Sequence, residues 1–156
     1  MLSLHIISIG RNKDRWISDG SDHFIKLLSR YARTEQTFLP EEKYGKATDI
    51  KKALKRESQT IETRLKGGFT IALDISGEKP HTRDFAIRLT DWQNRGNSLL
   101  EFIIGGPYGL DEDFKNKCAY RLSLSPLTLS HQIVRLVLLE QLYRALNLNA
   151  GGSYHK

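Results

Sequence analysis

Hydrophobic positions follow two rhythms along this chain. Residues 2–10 (LSLHIISIG), 69–75 (FTIALDI) and 99–104 (LLEFII) are short, nearly continuous apolar runs. That is the pattern of strands covered on both faces, as in a parallel sheet. Residues 34–40 (TEQTFLP) and 121–125 (RLSLS) read as two more strands, the first stopped by Pro40. Between these runs the apolar residues recur at helical spacing. Residues 15–32 present Trp16, Ile17, Phe24, Leu27, Leu28 and Tyr31 in that rhythm. Residues 47–68 predict a charged helix with Thr48 or Asp49 near its start and glycines at its end. Residues 82–96 predict a third helix with Thr82 as candidate N-cap, and residues 111–118 a short fourth one. Residues 130–148 predict the last helix. Strands alternating with helices mean an α/β fold with a mostly parallel sheet, and the 156 residues, without linker or repeat, fit one domain spanning 1–156.

In such sheets ligands bind beyond the carboxyl ends of the strands. Three stretches occupy that position: the end of the 69–75 strand, the loop Gly105–Leu110 (GGPYGL), and Pro126–His131 (PLTLSH). Three glycines in five residues allow a sharp turn and close approach of a ligand to the main chain. The spacing is neither a dinucleotide fingerprint nor a phosphate-cradling loop, so a plain tight turn is the equal alternative. Ser125 and Thr128 set hydroxyls among Leu124, Leu127 and Leu129, a wall suited to a flat nucleoside base or simply a strand-to-helix connector.

The final helix is apolar on nearly every face: Ile133, Val134, Leu136, Val137, Leu138, Leu139, Leu142, Tyr143, Ala145, Leu146 and Leu148. One side must face the sheet, and a second copy of the chain is the simplest cover for the other. A homodimer through this helix is therefore expected. His131 and Arg135 share one face of it, and Glu140 and Arg144 are spaced to pair.

Charge and composition narrow the function. The net charge is +6, and the surplus of Lys and Arg over Asp and Glu is five in residues 1–66 against one in residues 67–156. A basic half invites an anionic partner, nucleic acid first. Lys51, Lys52, Lys55, Arg56, Arg64 and Lys66 are the residues for such docking, with a solvated helix face as the equal alternative. Cys118 is the only cysteine, so an internal disulfide is excluded and a cysteine metal cluster is not expected; it reads as an apolar filler. No window is apolar enough to cross a bilayer and the opening residues lack a basic signal-peptide start, so a cytoplasmic protein without membrane partner is expected.

The segments LDISG, IIGGPYGL, LSLSPLTLSHQIVRLVLLEQLYRA and the closing SYHK, together with the opening ISIGRNK, resemble the ribosomal large subunit methyltransferase H family, a member of the SPOUT class. The resemblance runs the full length of the chain. It implies an α/β knot, a deep trefoil that propensity alone could not reveal. It implies S-adenosylmethionine as cofactor, held by Leu73, Gly105, Leu124, Ser125, Pro126, Leu127, Thr128 and Leu129. Pro126 departs from the family pattern; it stiffens the loop and leaves main-chain contacts open. The implied reaction is methyl transfer to N3 of a pseudouridine in 23S rRNA of the assembled ribosome.

The resemblance also gives the C-terminal tail a role. Tyr154 can stack on a base, His155 can contact phosphate or carry a proton, and Lys156 adds charge. Asn149–Gly152 would let the tail fold back over a cofactor pocket, its own or a partner's. Arg144, Tyr154 and His155 are the expected catalytic set, with Arg144 or Arg135 holding a phosphate or the target base. Asp74 and Glu140 are further candidates for the proton acceptor. Two rival readings stay open: a SPOUT enzyme acting on transfer RNA, and a ribosome-associated binding protein without catalysis.

Overall fold

The computed structural model describes the backbone of residues 1–156 and the side chains of all but residues 47 and 48. Five parallel strands form one sheet in the order β2-β1-β4-β3-β5. The strands are β1 (Leu2–Ile9), β2 (Ala32–Leu39), β3 (Phe69–Glu78), β4 (Leu99–Ile104) and β5 (Tyr120–Leu122), and the helices are α1 (Arg15–Leu28), α2 (Ala47–Glu62), α3 (Thr82–Asn94), α4 (Glu112–Lys117) and α5 (His131–Asn149). The α/β architecture read from the alternating runs is the one observed.

Period-two alternation divides the core into two layers. Leu2, Leu4 and Ile6 of β1 and Leu100, Phe102 and Ile104 of β4 meet Leu28 of α1, Phe85 and Leu89 of α3, and Leu138, Leu139 and Leu142 of α5. Ile7, Ile9 and Ile103 point the other way, onto Ile61 of α2 and Phe114 of α4. The central strands are thus apolar on both faces because each face carries helices. One polar pair interrupts them: Glu101 is fully buried and accepts from the backbone N–H groups of Lys66 and Gly68 at 3.0 and 2.8 Å, beside His5 Nδ1 at 3.0 Å. His5 Nε2 in turn lies 2.9 Å from Thr37 Oγ1. These groups lock the α2–β3 connection onto the sheet.

Several boundaries differ from the sequence reading. α1 stops at Leu28 and β2 begins at Ala32, because the Ser29 and Tyr31 N–H groups close a turn onto Ile25 and Leu28. α2 ends at Glu62, before the glycines; Gly67 takes φ +80° in the loop instead. Thr82 is the first residue of α3 rather than its cap; its hydroxyl lies 3.4 Å from Gln141 Oε1, and His81 is the N-cap residue. Asp49 acts as expected at the start of α2, accepting from the Lys46 N–H at 3.2 Å, while the Thr48 side chain lies outside the described residues. β5 is only three residues long because Ser123 leaves the sheet, its hydroxyl donating to the Ser125 carbonyl at 2.9 Å.

α5 lies between α1 and α3 on one face of the sheet. Both neighbours come from the same chain and cover part of the helix. Approach to α1 is close: a Cβ on Gly20 would sit 3.0 Å from Leu136 Cδ1. Ile133, Val134, Leu136 and Val137 remain half-buried. No helix among the described residues is long and apolar enough to cross a membrane.

Candidate functional site

The carboxyl ends of β3, β4 and β5 lie side by side, and each leads into a loop. After β4, Gly106 and Gly109 form an isolated bridge, closed by the Gly109 N–H to Gly106 carbonyl bond at 3.0 Å. Gly109 takes φ +77°. A Cβ on Gly105 would meet the Gly109 carbonyl group at 2.5 Å, so that position admits glycine alone. The loop is a tight turn as well as a surface: Pro107 and Tyr108 stand exposed at its tip.

The β5 loop is braced from within. Ser125 Oγ accepts the Leu127 N–H at 2.9 Å, and the Ser123 N–H donates to the Glu78 carbonyl at 2.8 Å. Bracing by its own hydroxyls leaves Pro126, Leu127 and Thr128 exposed, Leu127 at 73 %, with Leu124 and Leu129 half-buried at the flanks. An exposed leucine beside an apolar wall is surface that a ligand could cover. Ser130 caps α5 by accepting the Ile133 N–H at 3.3 Å.

Leu73 ends the regular part of β3. Leu122 pairs with Leu73 and again with Glu78, so residues 74–77 arch away from the incoming β5. A Cβ on Gly77 would lie 2.8 Å from the Arg121 backbone. Behind this arch a cleft of about 330 Å³ opens between Pro80, Thr82, Ser123, Leu124, Val137 and Gln141. Of the residues expected to hold a cofactor, only Leu124 lines it. The structure therefore brings Leu73, Gly105 and the 124–129 loop to one edge of the sheet, and extends that edge with α3 and α5 residues which no sequence motif marks.

The candidate proton acceptors are already engaged. Burial would raise the Asp74 carboxyl, but hydrogen bonds from Ser76 and the Lys115 ammonium at 3.2 Å outweigh it and hold the group below its ordinary range. Glu140 is clamped by Arg144, at 2.5 and 2.9 Å from two guanidinium nitrogens, confirming the spacing-based pair. Cys118 is half-buried beside the Phe114 carbonyl, and burial pushes its thiol up, consistent with a filler.

The tail is ordered against its own helix. The Tyr154 ring packs on Tyr143 at 4.8 Å between centroids and under the Arg144 guanidinium at 4.5 Å, and the Tyr154 N–H donates to Asn147 Oδ1 at 3.0 Å. His155 Nδ1 is buried without a partner among the described residues. Arg144, Tyr154 and His155 are thus brought near one another, but at the far end of α5. Asn147, Tyr143 and Arg144 hold the tail where α5 ends, and Arg144 lies one turn beyond Gln141 of the cleft.

Arg135 also corrects the sequence reading. It is fully buried, and its guanidinium donates to the carbonyls of Ile9 and Gly10 at 2.6 and 2.9 Å and to Asn12 Oδ1 at 2.9 Å. Burial pushes its pKa down to about 10. Those bonds commit it to the end of β1 and leave no free fork for a phosphate. Two further residues beside the glycine loop were not marked by any motif. The Tyr44 ring lies 4.7 Å from that of Tyr108, and the Tyr44 hydroxyl donates to buried Glu57 at 2.6 Å. A Cβ on Gly106 would lie 3.9 Å from Glu41 Cγ.

Residues 2–155 match the family model described as "Predicted SPOUT methyltransferase". The chain is 44% identical over 146 residues to the ribosomal RNA large subunit methyltransferase H of Thermodesulfovibrio yellowstonii, covering 94% of this chain and 93% of that protein. It is 37% identical over 159 residues to the protein of the same name from Clostridioides difficile, covering 99% and 100%. A crystal structure from Bordetella pertussis Tohama I, described as a probable methyltransferase, superposes with a TM-score of 0.56 at 15% identity, over 92% of this chain and 95% of that one, a likeness of fold. Full-length identity at this level, on a parallel sheet whose loops match the expected order, places the chain in the ribosomal RNA large subunit methyltransferase H family of SPOUT methyltransferases.

Proposed function

We propose that this protein transfers a methyl group from S-adenosylmethionine to N3 of a pseudouridine in 23S rRNA, on the assembled ribosome and as a homodimer. The observation that carries the proposal is the convergence of three braced loops at one sheet edge in a chain of this family. The loops fit the cofactor: Gly105 bars any side chain from the β4 turn, and the 124–129 loop exposes Pro126, Leu127 and Thr128 between half-buried leucines. Leu73, Gly105, Leu124, Ser125, Pro126, Leu127, Thr128 and Leu129 would hold it. When bound, it supplies an electrophilic methyl on a sulfonium, so the protein's contribution is mainly alignment of the acceptor. The reading includes a trefoil knot of the SPOUT class at this edge of the sheet.

The tail serves a partner's site in this reading. A two-fold axis near the half-buried Ile133, Leu136 and Val137 would bring Arg144, Tyr154 and His155 to the opposite copy. The exposed Lys51, Lys52, Lys55 and Arg64 supply phosphate docking. The test supplies labelled S-adenosylmethionine with ribosomes from cells lacking this protein, with protein-free rRNA, and with transfer RNA. Label at a pseudouridine of intact large subunits is expected; label in transfer RNA alone, or no cofactor binding, overturns the proposal.

A further inference from the structure

A second cluster lies beside the glycine loop, at the carboxyl ends of β1 and β2. Gly10 turns there with φ +82°. A Cβ on Gly10 would sit 3.5 Å from an Arg135 guanidinium nitrogen, 3.7 Å from Glu41 Oε2 and 3.7 Å from His131 Nε2. Three ionisable side chains from α5 and the loop after β2 thus surround one backbone point. The wall behind them is rigid. Arg135 grips the carbonyls of Ile9 and Gly10 together with Asn12, and Gln132 Oε1 accepts the Lys13 N–H at 2.9 Å.

The strand order gives this cluster its meaning. The proposed cofactor loops follow β3, β4 and β5, while β1 lies next to β4 on the opposite side. Glu41 spans the two, reaching both Gly10 and Gly106. An acceptor brought to the methyl group from the β1 side would meet His131, the first residue of α5 and two residues beyond the cofactor loop. An imide nitrogen carries a proton that must leave for the nitrogen to attack, and an imidazole nitrogen within reach is the usual acceptor.

We infer that His131 is the proton acceptor of the reaction, with the Glu41 carboxylate nearby favouring the imidazolium by charge rather than by a hydrogen bond, an assignment that rests on the function proposed above. In the step, the imide N–H proton passes to His131 Nε2 and the nitrogen forms its bond to the methyl carbon. The sulfur–methyl bond breaks with its electron pair going to sulfur, leaving the neutral thioether product. The imidazolium then releases its proton to solvent. The groups facing His131 suit this role. Burial and the Arg135 and Lys13 cations hold its imidazole below the usual histidine range, with Glu41 pulling it upward, so the ring is neutral and able to accept at neutral pH.

The test compares wild type with His131→Gln, His131→Asn, Glu41→Gln and His155→Gln. The His131 pKa is followed by NMR in the free protein, alongside cofactor Kd, RNA affinity and kcat against pH. Wild type should show an acid limb in kcat. Both His131 variants should lose about 10²- to 10⁴-fold in kcat, with cofactor and RNA affinities kept within a few-fold and the acid limb gone. Glu41→Gln should lower the His131 pKa in the free protein and move the acid limb to lower pH by the same amount. A His131 variant with wild-type kcat, or an acid limb that disappears in His155→Gln and persists in His131→Gln, overturns the assignment while the proposed reaction stands. Wild-type protein that methylates no imide nitrogen overturns both.

Discussion

Replacing Gly105 by alanine tests whether the β4 turn is cofactor surface or only a turn. The new Cβ would lie 2.5 Å from the carbonyl carbon and oxygen of Gly109 and 3.0 Å from its Cα. Carbon atoms pack at ~3.5 Å, so the turn must open by about 1 Å. The obstruction is backbone, which cannot rotate away, and the bond from the Gly109 N–H to the Gly106 carbonyl lies across the gap. Overpacking of this kind costs about 1–3 kcal/mol. If the strain is met by a displaced loop, it appears as a roughly 5- to 150-fold weaker Kd for S-adenosylmethionine, at about 1.4 kcal/mol per tenfold. Titration calorimetry reads the Kd, and thermal unfolding reads what is left, about 2–4 °C for each kcal/mol in a chain of this size. Gly96→Ala is the control. Gly96 takes φ +92° with nothing within 4 Å of its would-be Cβ, so alanine there strains only the backbone. It should lower Tm by a comparable amount and leave the Kd unchanged. A Gly105→Ala protein that binds cofactor with wild-type Kd refutes the placement of the site on this turn.

Glu101→Ala should destabilise the fold by at least about 1–3 kcal/mol, since the Lys66 and Gly68 N–H groups lose their buried acceptor; urea unfolding with less than half that loss would contradict the buried network. Asp74, held below the ordinary carboxyl value of 3.8, contributes stability that is complete above that value and lost as pH falls through its lower folded pKa. Asp74→Asn should therefore narrow the drop in stability between neutral pH and pH ~3, and an unchanged pH profile would show that Lys115 does not sense the charge. Deleting residues 153–156 removes the ring on Tyr143 and Arg144 and should abolish methylation while cofactor Kd holds; full methylation by the truncated protein would leave the tail without function.

Binary pattern alone carried the layer structure. Runs such as IISI and EFII have no polar side, and only a parallel strand between two helix layers buries both faces, as Ile6 and Ile7 do on α1/α5 and α2/α4 respectively. Local turn chemistry was equally legible: three glycines after β4 announced a close backbone approach, and Gly105 proved to have no room for a side chain. Helix ends were less so, because the stop of α1 at Leu28 depends on a turn with no glycine or proline to mark it. Proximity across the sheet was invisible. The hydrophobic pattern of α5 showed that it must be buried but not by what; α1 and α3 of the same chain supply part of the cover and leave Ile133, Leu136 and Val137 half-buried. Nor could spacing show that Arg135 spends its charge on the end of β1, that the tail packs on Tyr143 and Asn147 of its own helix, or that Glu41, Gly10 and His131 converge. Periodicity encodes which way a side chain points from its own element. The partner it meets depends on strand order, and strand order is settled by contacts between residues up to 126 positions apart, as in the bond from Arg135 to Ile9.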